Sequence, residues 1–60
     1  MEPNTREEQD KQYRTHNQGI LDARFCLIST IGDGGTAVVK LAWDLELHQF
    51  CAIKLLKNLT

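Results

Sequence analysis

Three of the chain's four glycines fall within four positions, Gly32-Asp33-Gly34-Gly35, and Thr36-Ala37-Val38-Val39 follow directly. Twenty-two residues after Gly32 stands Lys54, at the end of the run Cys51-Ala52-Ile53-Lys54. The chemistry these residue types allow is anion binding. Backbone N–H groups solvate phosphate oxygens when no Cβ blocks the approach, and Gly32 and Gly34 give that clearance. Gly35 adds freedom for the turn to close and reopen. An ammonium group such as Lys54 then neutralises part of the phosphate charge. Side chains two apart on a strand share a face, so Ala52 and Lys54 point the same way, and a small Ala leaves room for a flat ring.

The other residues with chemical potential carry less. Cys26 and Cys51 form no C-x-x-C, and His16 and His48 stand at unrelated spacings, so no zinc pattern is complete. The two thiols read as small apolar packing groups. Tyr13 is a lone tyrosine in a polar stretch, Trp43 reads as core or sheet-edge packing, and Asp33 and His48 read as solvated loop residues.

The elements that must position the glycine turn and Lys54 come from a break in composition near Gly19. Between Met1 and Gly19 the only large apolar side chains are Met1 and Tyr13, whereas from Ile20 onward the chain is rich in Leu, Ile, Val and Ala. Residues 1–19 are expected to be a polar leader, disordered or weakly helical. Pairs among Glu7, Glu8, Lys11 and Arg14 contribute only ~0.2–0.5 kcal/mol each, too little to hold a helix without tertiary support. Residues 20–60 are expected to fold, with strands at about 25–31, 37–43 and 49–55. The middle segment is ambiguous, because Val38, Leu41, Ala42 and Leu45 also match a helical spacing. The adjacent β-branched pair Val38-Val39 favours a strand.

Charge and hydropathy exclude several classes. The formal net charge is −1 with both signs interspersed, so no basic stripe points to nucleic acid and no cationic amphipathic run points to a membrane surface. Apolar runs are a few residues long, against the ~20 needed to span a bilayer. The polar N-terminus lacks a secretory pattern and Met1-Glu2 lacks the myristoylation pattern, which leaves the cytoplasm, or the nucleus, as the expected compartment.

Strand, glycine turn, strand, turn, and a strand ending in Ala-Ile-Lys together resemble the start of a protein kinase catalytic domain. That family carries a G-x-G-x-x-G-x-V loop over the ATP phosphates and a V-A-I-K strand whose Lys meets the α- and β-phosphates. The resemblance covers roughly residues 25–56. It implies an α+β, protein-kinase-like fold, with residues 20–60 a partial N-terminal lobe built mainly on an antiparallel three-stranded sheet and cut off before the C-helix. It further implies ATP as cofactor, with Mg2+ held by ligands beyond this chain, and a protein substrate in the intact family, of the Ser/Thr type. On the same basis Ile31, Val39 and Ala52 would line the adenine, the turn from Gly32 through Asp33, Gly34, Gly35 and Thr36 to Ala37 would clamp the β- and γ-phosphates, Lys54 would hold the α- and β-phosphates, and Val38 counts among the cofactor-binding residues. Ala37 stands in place of the third glycine, Thr36 in place of an aromatic tip residue, and Cys51 in place of Val. No catalytic or metal-binding residue of the family is expected within residues 1–60, since the helix Glu, the H-R-D loop and the D-F-G site follow later in such domains.

Two other readings stand beside this one. The chain is a non-catalytic, pseudokinase-like piece that docks to another protein, or it is a dinucleotide-binding βαβ unit. The same residues spell G-x-G-x-x-A, which would serve that unit if residues 36–48 were helical. Against the βαβ reading, Lys54 occupies the neighbourhood of the acidic ribose ligand, and Asp33 would sit beside the pyrophosphate.

Overall fold

The computed structural model describes residues 5–58; residues 1–4 of the expected leader and residues 59–60 at the end of the expected second unit lie outside that range. The leader contains an α-helix, α1, at Arg6–Thr15. Its start is a capping box: the Thr5 side chain accepts from the Glu8 amide at 3.2 Å, and the Thr5 amide donates to Glu8 Oε1 at 3.1 Å. Glu7 and Glu8 in the first turn and Arg14 in the last suit the helix dipole. At the other end the Asn17 side-chain amide donates to the carbonyls of Tyr13 and Arg14, at 2.8 and 2.9 Å.

Caps alone do not hold a ten-residue helix in water. Packing completes the task. The Tyr13 ring lies 5.3 Å from Trp43 and 5.5 Å from Phe50, with Trp43 and Phe50 edge-on at 4.9 Å. The Trp43 indole N–H donates to Asp10 Oδ1 at 2.8 Å, and His48 Nδ1 lies 2.9 Å from Asp10 Oδ2. Burial pushes the Asp10 carboxyl up, but the hydrogen bonds to Trp43 and His48 and the charges of His48 and Arg14 outweigh it and leave the group below its ordinary range.

Four antiparallel strands follow in sequence order, β1 (Ile20–Leu21), β2 (Phe25–Asp33), β3 (Ala37–Asp44) and β4 (Gln49–Leu56). The β1–β2 turn places Asp22 and Ala23 at φ 54° and 53°, with the Arg24 amide donating to the Leu21 carbonyl at 3.0 Å. Two successive positive φ angles in this three-residue connection match the twist of a hairpin, although Ala lacks the freedom of the Gly usually found there. The β3–β4 turn is organised by Asp44, which is buried. Its Oδ1 accepts from Arg24 Nε and from the amides of Glu46 and Leu47, and its Oδ2 accepts from Arg24 Nη2 at 2.8 Å. The Arg24 guanidinium, helped by those two amides, holds the Asp44 carboxyl far below the usual carboxylate range despite burial.

The buried apolar residues are Cys26, Ala37, Ala42 and Trp43. Both cysteines are free thiols, Cys26 buried and Cys51 half-buried, and burial raises both thiol pKa values. Among the described residues no helix is long and apolar enough to cross a membrane.

The expected fold class needs correction. The fold is a four-stranded antiparallel curled sheet preceded by one short helix, not a three-stranded sheet, and it does not show the α+β protein-kinase-like class. The extra strand escaped sequence reading because two residues show no alternation. Ile20 and Leu21 join by backbone pairing to Cys26 and Phe25, extended by Gln18 N–H to the Leu27 carbonyl at 2.7 Å.

Candidate functional site

Register decides which candidate residues meet. Gly32 pairs with Val39, and Val39 with Lys54; Leu41 pairs with both Ser29 and Ala52; Trp43 pairs with both Cys26 and Phe50. Residues directly opposite in antiparallel strands share a face, as do residues two apart on one strand. One face therefore carries Gly32, Val39 and Lys54 beside the glycine turn, Leu41 and Ala52 in the middle, and Cys26, Trp43 and Phe50 at the far end. Helix α1 covers the far end through Tyr13 and Asp10. The row of Val39 lies four residues, about 13 Å, from the row of Trp43. The end nearest the turn is open, with Ala52, Lys54 and Ile31 all exposed.

A β-bulge produces this row. The register of β2 on β3 shifts between Thr30 and Gly32, which leaves Ile31 unpaired and sets Gly32 opposite Val39. Pairing that continued from Thr30–Lys40 without this shift would have put Ile31 there, with a side chain in the space that glycine leaves clear.

The turn itself has two open donors. The Gly34 amide is engaged, donating to the Ala37 carbonyl at 2.9 Å, whereas the amides of Gly35 and Thr36 meet no acceptor among the described residues. Positive φ angles, which three glycines in four positions would permit, are not used here: Gly19 is the described glycine with positive φ. A Cβ added at Gly35 would meet nothing within 4 Å, and one at Gly34 only the Ala37 carbonyl at 3.8 Å. Neither backbone conformation nor internal space requires glycine at 34 and 35. What glycine leaves there is bare backbone open to an outside ligand.

Not every expected site residue lies on the open face. Val38 pairs with Asp33 and Leu55, a row on the opposite face. Ala37 shares the face of Val39 but is buried, and Thr36 is exposed at the tip with its carbonyl taken by the Lys57 amide at 2.8 Å. Asp33 is not simply solvated, because its carboxylate accepts from Lys57 Nζ at 2.7 Å. Lys57, which no motif flagged, also donates to the Gly34 carbonyl at 2.7 Å. Lys54 makes no hydrogen bond or ion pair with another described residue.

The dinucleotide-binding reading fails on the element after the turn. Residues 37–44 form a strand, and they pair antiparallel with both neighbours, where a βαβ unit needs a helix and parallel strands. Among the described residues no group of three or more His, Cys, Asp or Glu side chains is placed to hold a metal ion. The groups here that could hold an anion are the Gly35 and Thr36 amides and the Lys54 ammonium, which has no partner among the described residues. A shallow depression of about 410 Å3 lies on α1, between Glu8, Lys11, Gln12, Thr15 and His16, and is not part of the turn.

No family model, no curated protein and no solved structure matches this chain.

Proposed function

We propose that this chain binds the phosphates of Mg-ATP on the open end of its sheet, as the nucleotide-binding portion of a Ser/Thr protein kinase. The observation that carries this reading is the row Gly32–Val39–Lys54, which sets an unpaired ammonium and a glycine turn with two open amides on neighbouring strands. Preorganised backbone donors and one cation are what a polyphosphate needs for its oxygens. Val39, Leu41 and Ala52 continue the same face as a low apolar surface against which a purine ring can lie, with the exposed Ile31 at its edge.

The 60 residues supply binding groups, and transfer of the phosphoryl group to a protein Ser or Thr belongs to groups elsewhere in an intact kinase. The cytoplasm is the compartment that fits an ATP ligand and two free thiols.

Calorimetric titration with Mg-ATP tests the reading. The unmodified chain is expected to bind saturably, and Lys54→Met to weaken binding about 10- to 100-fold, the usual worth of a hydrogen bond to a charged group. No saturable binding, or equal binding by both proteins, removes the proposal.

A further inference from the structure

We infer that Lys57 is a positioning residue of the glycine turn, clamping Asp33 and Gly34 from the sheet face opposite Lys54 so that the Gly35 and Thr36 amides stay presented to an anion. The inference deepens the nucleotide reading above and rests on it for the identity of the anion.

Three contacts converge on the turn from the end of β4. The Lys57 amide donates to the Thr36 carbonyl at 2.8 Å, and its Nζ donates to Asp33 Oδ1 and to the Gly34 carbonyl, both at 2.7 Å. The backbone bond starts the Lys57 stem beside the turn, so the ammonium reaches its two acceptors with little freedom left to lose. Both acceptors precede the open amides: the Gly34 carbonyl belongs to the peptide that carries the Gly35 N–H, and Asp33 stands one residue earlier. Gly34 and Gly35 have no side chains to pack, so this tie is what restrains the tip from outside the turn.

Charge gives the clamp a second effect. Asp33 is largely exposed and lies at the turn, where an uncompensated carboxylate would repel an incoming phosphate. With Lys57 on it the pair is neutral. Asp33 belongs to the row Asp33–Val38–Leu55, on the face away from Lys54, so Lys57 acts through Asp33 and Gly34 and leaves phosphate contact to Lys54 and the amides. An ion pair this exposed adds little to global stability, so its effect is local.

Steady-state heteronuclear NOE measurements on the 15N-labelled chain test the clamp without any ligand. In Lys57→Met the values at Gly34, Gly35 and Thr36 are expected to fall toward those of a flexible loop, with Asp33→Asn giving a smaller fall. Lys57→Arg is expected to keep them, and the melting temperature to stay within about 2 °C. Mg-ATP affinity is expected to fall about fivefold in Lys57→Met at low salt, a loss that shrinks in 1 M salt. Adding Asp33→Asn to Lys57→Met should recover only the charge part of the lost affinity, while the NOE values stay low. Unchanged NOE values in Lys57→Met overturn the inference, whatever the affinity does. Absence of saturable binding by the unmodified chain removes the nucleotide reading instead, and the clamp then stands or falls on the NOE values alone.

Discussion

Replacing Trp43 with Phe removes the bond that docks α1 on the sheet, together with part of a buried ring. The substitution keeps an aromatic ring between Tyr13 and Phe50, where the centroids now lie 5.3 and 4.9 Å away, and removes the indole N–H that Asp10 accepts at 2.8 Å. A hydrogen bond to a charged acceptor contributes ~1.5–3 kcal/mol. Asp10 keeps its contact with His48, so the lower part of that range applies, about 1.5–2 kcal/mol. At 4–8 °C per kcal/mol for a chain of this size, the melting temperature should fall by about 5–15 °C. The loss should appear first in the helix, because ten residues released from the sheet do not stay helical. Circular dichroism gives the melting temperature, and amide hydrogen exchange from Gln9 to Arg14 gives the local response. A melting temperature within about 2 °C of the unmodified chain, or α1 amides that exchange no faster, would refute the docking argument.

Three further outcomes follow from single features. Ala23 holds φ 53°, so Ala23→Gly should stabilise the chain by about 0.5–1 kcal/mol, read as a higher urea midpoint; a lower midpoint would contradict the turn geometry. Asp44 and Asp10 are both held below their ordinary values, so the stability they contribute is present above about pH 4 and lost as pH falls through their folded-state values. Urea midpoints measured from pH 5 to pH 2 should therefore decline, and more shallowly in Asp44→Asn, which starts weaker at pH 7; equal slopes would count against the Asp44 node. Gly35→Val should leave the melting temperature unchanged, since a Cβ there meets nothing within 4 Å, while reducing Mg-ATP affinity; loss of stability with affinity intact would reverse that assignment.

The strands were legible where side-chain chemistry is local. Apolar, β-branched runs at Phe25–Ile31, Val38–Trp43 and Phe50–Leu55 fit a pleated surface, and the glycines between the first two mark the reversal. The register that brings Gly32 opposite Val39 was not legible, because it depends on a bulge at Ile31 that no residue type announces. The helix offered a signal that went unused: Thr5-x-x-Glu8 is a capping box, read instead as part of a polar leader. Its docking on Trp43 joins residues 33 apart, and the Arg24–Asp44 pair joins residues 20 apart, distances over which sequence gives no spacing rule. The glycines and Lys54 of the candidate site were readable from motif chemistry, whereas Lys57 was not, since its role comes from where β4 ends relative to the turn. Val38 and Asp33 entered the candidate list as members of the loop motif and fall on the other face.

Chemical-shift mapping with Mg-ATP on the 15N-labelled chain most directly asks whether the turn amides and Lys54 act on one ligand. Saturable shifts confined to the amides of residues 32–37 and 52–54, greatest at Gly35 and Thr36 and absent from the Trp43 indole, are the predicted result. Shifts centred on α1, or none at concentrations that saturate the calorimetric signal, would contradict it.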